Sequence, residues 1–450
     1  GTGIGSVVTF DGGEGPGAVL DGFTVRGGDA SGGLRGGGLH VSGSSPTLRH
    51  LVVRENSAHV GGGAHFVGSD SALLDVVFID NVANLTAEAQ WGYGGGLYAI
   101  DSVLTLESVV AQGNTAARGG GLMLRDTIAA IADLTATLNT AERGAGVAVE
   151  AGDVTLTGAV ISDNLASVNG GGLWIFGGAA GIWSGLLVAG NEAPDGAGGR
   201  VTDSSPSLLY SSFVANIASG NGGGLFVDEQ SGSAAPSLTG LLFEGNRAVT
   251  GGGMLLDEAS ATLSGCRFKD NQAGNLGGAI YVADGQGVAL HASVFDGNSA
   301  VSDGGAVRFQ GGAGHLVTSS IFADNAASNG GALHLAFGAE VSIEHCTLAG
   351  NSASSGGTLR ATADSSLAII NSVVAIPSLG SGISVATGAT WIIRYVDSFN
   401  TVGPPWSGSL ADLDGVDGNI SADPQFAAYT TNGLYDDDLR VQVRVRLRRV

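Results

Sequence analysis

One pair of residues recurs along this chain at a spacing that leaves few folds open. Asparagine stands at Asn56, Asn81, Asn114, Asn139, Asn164, Asn191, Asn216, Asn246, Asn271, Asn298, Asn325 and Asn351, mostly 25 to 27 residues apart. Alanine follows two positions after every one of them, from Ala58 to Ala353. A glycine cluster falls between successive asparagines, as at 61–63, 119–121, 222–224 and 330–331. Self-similarity at such a period is the mark of stacked structural repeats.

The residues around these markers read as strands. Cys266 and Phe268 precede Asn271, and Leu241 and Phe243 precede Asn246, an alternation that buries one face of an extended segment. A Gly-Gly pair followed by aliphatic-x-aliphatic, as in 223–227, reads as a second strand after a turn that glycine adopts most easily. So small a unit cannot bury its apolar face alone and must stack on the next, about 4.8 Å away. The expected fold is all-β, a right-handed single-stranded parallel β-helix of about 14 or more coils of about 27 residues. Equivalent positions then form columns. Phe213, Phe243, Phe268, Phe295 and Phe322 are expected to stack on successive coils. The twelve asparagines are expected to turn inward at a corner and bond coil to coil as a structural ladder. Cys266 and Cys346 share one inward column three coils apart, beyond disulfide reach, and read as small buried hydrophobes.

Composition supports strands over helices: 79 of 450 residues are glycine and Lys269 is the one lysine. The formal charge is −22. Five of the 19 basic residues lie in 440–450, which leaves 14 against 41 acids in the rest of the chain. Such a balance repels nucleic acid and anionic membranes, and nucleic acid is excluded as a partner. No apolar run reaches the ~18 residues that span a bilayer, and Gly1 reads as an internal start.

The pairing of Phe-x-x-Asn (78–81, 213–216, 243–246, 268–271, 295–298, 322–325) with Gly-Gly-Ala-aliphatic (277–280, 304–307, 330–333) resembles the repeat of the chlamydial polymorphic outer-membrane proteins. More broadly it is similar to secreted right-handed β-helix proteins of environmental bacteria. The resemblance covers about residues 20 to 380. It implies an exported β-helix, secreted or displayed at a bacterial cell surface in association with the outer membrane, often as an adhesin-like passenger. Nothing after Pro377 reads as that family's membrane β-barrel, so the chain as given is expected not to span a membrane. The β-helix is expected over 1–400, an irregular closing segment over 401–439, and a separate basic tail over 440–450. For that tail a capping strand and a reading-frame slip both stay open.

Candidate sites fall on the outward positions of the Gly-Gly strand. Aligned coils give a column of His40, His65, Tyr98, Met123, Trp174, Phe226, Leu255, Tyr281, Arg308 and His334. If exposed, Trp174, Phe226, Tyr281 and His334 are candidates to stack on sugar rings; the alternative is ordinary exposed strand residues of good β propensity. Slightly further on stand Asp228, Glu229, Asp257, Glu258 and Asp284, a candidate calcium site or a solvated acidic edge. No other cofactor is expected. The segment 412–418 spaces its acids loosely like a calcium loop but lacks the bidentate Glu, and reads as an Asp/Gly turn. The insertion at 85–93, with Trp91 and Tyr93, reads as a contact loop. The expectation is a non-catalytic extracellular or cell-surface protein that mediates adhesion, with a glycan or a host or cell-surface protein as partner. A polysaccharide lyase or glycoside hydrolase using the acidic cluster is the alternative, and a structural surface spacer the third reading.

Overall fold

A typical repeat closes one coil of four short strands. In the coil that begins at Asp153 these are Asp153–Thr157, Val160–Ser162, Leu165–Asn169 and Leu173–Phe176. Inward side chains alternate along them: Val154, Leu156, Ile161, Leu173 and Ile175 are all buried. Each strand pairs in parallel with its counterpart one coil on, as Ile161 with Val188 and Leu173 with Gly199. The chain is a right-handed parallel β-helix, with no helix among the described residues. This computed structural model describes residues 5–84, 92–400, 402–410, 413–428 and 438–441. Residues 85–91, Asp412 and 442–450 therefore lie outside it, and with them most of the expected contact loop and of the basic tail.

The corners explain much of the repeat. Gly158, Asp163, Gly170 and Gly177 link these strands with φ between 55° and 68°. The residue just before each asparagine takes this left-handed conformation, as at Asp80, Gly113, Asp163 and Gly190. Glycine and aspartate tolerate it best, hence the recurring Asp-Asn and Gly-Asn pairs. Gly170 and Gly171 need glycine for different reasons. The first has φ 63°, and a Cβ on the second would lie 2.4 Å from the Ala197 carbonyl oxygen of the next coil.

Two units, Gly1–Ala261 and Thr262–Val450, are distinguished by their internal contacts. In the first, Asn56 through Asn246 form an unbroken ladder at the inner corner, each Nδ2 donating to the next Oδ1 at 3.0 Å. The same Nδ2 groups donate to backbone carbonyls, and each next Oδ1 also accepts the asparagine backbone N–H, as Asn164 does from Asn139. Stacked alanines, among them Ala141, Ala166, Ala193 and Ala218, fill the space beside the ladder. Phe213 and Phe243 stack with centroids 5.0 Å apart.

In the second unit the ladder runs from Asn271 through Asn298 and Asn325 to Asn351 at 2.9 Å per step. Phe268, Phe295 and Phe322 stack at 5.1 and 4.6 Å. A second ladder was not read from the sequence: Ser293, Ser320 and Ser372 accept backbone N–H bonds from Cys266, Ser293 and Cys346. Both cysteines are thiols buried in this column, and burial pushes the Cys346 thiol up to about 11. Parallel pairing persists through Trp406–Gly408. Phe426–Ala428 then pairs antiparallel with Asp438–Val441.

Candidate functional site

The outward column of the Gly-Gly strand is not an exposed row. In the first unit His65, Tyr98, Met123, Trp174, Phe226 and Leu255 are buried, Trp174 at 7% exposure. The cause lies in the bend at the preceding glycine. Its left-handed φ folds the sheet so that the outer face is concave there. A Cβ added to Gly119, Gly170 or Gly222 would come within 2.6–2.9 Å of the Cβ of Met123, Trp174 or Phe226. The column is thus the floor of a groove, and the residue before each bending glycine forms its wall. Parallel pairing orders that wall as Arg35, Val60, Tyr93, Arg118, Arg143, Asn169, Asp195, Asn221 and Thr250.

Val60, Tyr93, Tyr98, Met123, Ala148 and Trp174 pack into an apolar cluster on this outer side, with half-buried Ile100 and Phe176 against it. Phe176 stacks on Trp174 at 3.6 Å. The guanidinium of Arg118 lies 5.5 Å from the Tyr93 ring centroid and 5.4 Å from that of Trp174, and Arg143 lies 5.7 Å from Trp174. Aromatic faces attract a guanidinium and hold its plane. Beside them a cleft of about 320 Å³ is lined by residues including Arg35, Tyr93, Tyr98, Ile100 and Arg125. Arg125 is shared between Asp126 and Glu150 at 3.4 and 3.7 Å. Among the described residues no carboxylate lies within ion-pair distance of Arg118 or Arg143. At one end His40 and His65 stack 5.2 Å apart, and burial carries the His65 imidazole down to about 3.

The carboxylates expected as an outward row differ in their surroundings. Asp228 is buried and accepts Arg200 Nε and Nη2 at 3.0 and 2.7 Å and the Thr202 hydroxyl at 2.8 Å. Arg200 also covers the Phe226 ring at 4.6 Å. It escaped the sequence alignment because Gly199 replaces the aliphatic residue that marks the strand. Glu229 accepts the Ala234 N–H at 3.0 Å, and Asp257 pairs in register with Asp228. Glu258 sits at a left-handed turn with φ 54°, as do Asp101, Asp126 and Asp203 in equivalent turns. The turn conformation accounts for the acidic choice there. Asp284 in the second unit occupies the same kind of turn, φ 52°. Among the described residues no group of three or more His, Cys, Asp or Glu is gathered as a metal site.

In the second unit Tyr281, Arg308 and His334 are likewise buried in the groove floor, which corrects their expected exposure. Tyr281 donates to Gln310 Oε1 at 2.8 Å. Asp303, a wall residue absent from the sequence reading, pairs with Arg308 and accepts Asn329 Nδ2 at 2.8 Å. His334 Nδ1 lies 2.8 Å from Arg308 Nη1 and 3.3 Å from Asp303 Oδ2. A guanidinium only donates, so this nitrogen accepts, and burial keeps the imidazole neutral. Its Nε2 has no hydrogen-bond partner. Burial alone would raise the Asp303 carboxyl, but His334 once protonated in acid, with Asn329 and Arg308, carries it down to about 2. Placing the residue before each Gly-Gly in a column of its own would have found Asp303. In the closing segment, Asp414 accepts the Ser421 hydroxyl at 2.6 Å and Asp417 takes a left-handed turn.

Residues 252–396 match the family described as the right handed beta helix region. No curated protein matches the chain. Fold and match together define a β-helix repeat protein with a cation-bearing groove on its outer face.

Proposed function

We propose that this β-helix is a non-catalytic contact protein, secreted or displayed at a bacterial surface, that holds a sugar chain in the outer groove of its first unit. The observation that carries this reading is the apolar ring cluster outside the main core, beside an open cleft. Rings gathered on an outer face beside an open cleft, with Ile100 and Phe176 left half-buried at their edge, suit a ligand that completes their cover. The likeness of the repeat to the chlamydial outer-membrane proteins and the acidic surface agree with display outside the cell. The expected sugar contact changes in one respect. Trp174 supports Arg118, Arg143 and Phe176, and the half-buried Phe176 offers the accessible ring. Phe176→Ala should weaken retention on a glycan array by roughly tenfold while the melting temperature stays unchanged, as expected for loss of a stacking face. An intact protein that retains no glycan at all would refute the proposal.

A polysaccharide-active enzyme is the second reading, favoured by the Asp303, Arg308 and His334 constellation in the second unit. The unpartnered Nε2–H of the neutral imidazole can donate to a sugar oxygen, with the ionised Asp303 and Arg308 fixed beside it. Incubation with acidic and neutral polysaccharides should then release products, and Asp303→Asn should abolish the release. No product from any polysaccharide would remove this reading.

A further inference from the structure

We infer that the groove of the first unit selects an anionic sugar chain, with Arg118 and Arg143 gripping one carboxylate or sulfate group. This rests on the glycan reading above and names its chemical class. Fourteen basic residues precede position 440; six of them, Arg35, Arg118, Arg143, Arg200, Arg308 and Arg360, stand in the floor or wall columns of the two units, and Arg125 lines the cleft beside them. A chain with 41 acids could neutralise every one of these cations. It does so for Arg125, Arg200 and Arg308; among the described residues no carboxylate pairs with Arg118 or Arg143, nor with Arg35, nor with Arg360, which donates to Asn329.

These two arginines pair on adjacent coils, so like charges stand about 4.8 Å apart at the backbone. That arrangement opposes itself unless an anion bridges it. The rings of Tyr93 and Trp174 hold both guanidiniums without neutralising them, which leaves their planar N–H donors for an oxyanion. The Arg143 Nε is buried with no partner, a donor still unmet in the protein alone. The overall charge of −22 does not cancel this local field. At physiological ionic strength the screening length is about 8 Å, so distant acids fade while the groove cations act at contact. Phe176 and Ile100, apolar and half-buried beside the pair, offer a flat face to a sugar ring.

The test measures binding of the full chain by calorimetry to four probes of matched length: a uronate oligosaccharide, a sulfated one, a neutral one and polyglutamate. Binding to the uronate or sulfated chain, none to the neutral chain, and a decline with added salt are expected. Which acidic chain binds identifies the acid group. Arg118→Ala with Arg143→Ala should cost roughly tenfold or more in affinity, whereas Arg54→Ala outside the groove should change nothing. A melting curve unchanged in the double variant separates lost binding from lost fold. Equal binding of neutral and acidic sugars, or an unaffected double variant, would overturn the anionic assignment and leave the glycan reading standing. Polyglutamate binding as tight as the acidic sugar would overturn the sugar class. If no sugar of either kind binds, both readings fail.

Discussion

At the scale of single residues, the ladder asparagine carries four bonds that nothing else in its corner can replace. Asn164 donates Nδ2 to Ala136 O and Asn191 Oδ1, and its own Oδ1 accepts the backbone N–H and Nδ2 of Asn139. Asn164→Ala strands buried partners on both neighbouring coils, at roughly 1–3 kcal/mol for each group left unsatisfied. Because each coil contacts only its neighbours, hydrogen exchange should speed up around residues 136–191 before distant coils respond. Protection unchanged there would mean the ladder is dispensable. Asp303 gives a residue-scale prediction of another kind. Its folded pKa of about 2 lies below the ordinary 3.8, so its stabilisation is complete above pH 4 and is lost as the pH falls toward 2. The difference amounts to about 2 kcal/mol. Acid titration of the melting temperature should show this loss in the wild type and a flatter curve in Asp303→Asn. Parallel curves for the two proteins would show that the carboxylate is not held as described.

At the scale of the element, the glycine bend decides what the outer face becomes. Strand alternation correctly sends Trp174 and Phe226 away from the main core, and it cannot report that the sheet folds over them. That information resides in the φ of Gly170 and Gly222, visible in the sequence only as glycine. The twelve-fold Asn and Ala columns were legible because stacking repeats one environment and so repeats one residue. Arg200 and Asp303 were not, since groove residues vary from coil to coil and carry no period of their own. Two of the acidic residues after the strand, Glu258 and Asp284, recur for a local reason, the left-handed turn they occupy. Gly170→Val tests the bend itself. A β-branched residue at φ 63°, with its Cβ 2.9 Å from that of Trp174, should destabilise the first unit by roughly 3 kcal/mol or more. A variant as stable as the wild type would show that the bend is not fixed by glycine.

At the scale of the molecule, the repeat settles the architecture, and what the protein does is left to the few places where one coil differs from the next. The sequence period reaches the coils, the corner ladders and the phenylalanine stacks because those features serve stability in every coil alike. The groove is different: its ring cluster and the ring-held arginines Arg118 and Arg143, with no carboxylate partner among the described residues, lie between Tyr93 and Phe176, where the fold does not require them. The central claim is that this stretch of outer face is where a ligand sits. Hydrogen exchange of the full chain, with and without a saturating acidic oligosaccharide, tests it most directly. Added protection confined to the strands that carry Tyr93, Arg118, Arg143 and Trp174, with the asparagine corners unchanged, is the result predicted. Protection that appears on another face, or nowhere while the sugar is bound, would contradict it.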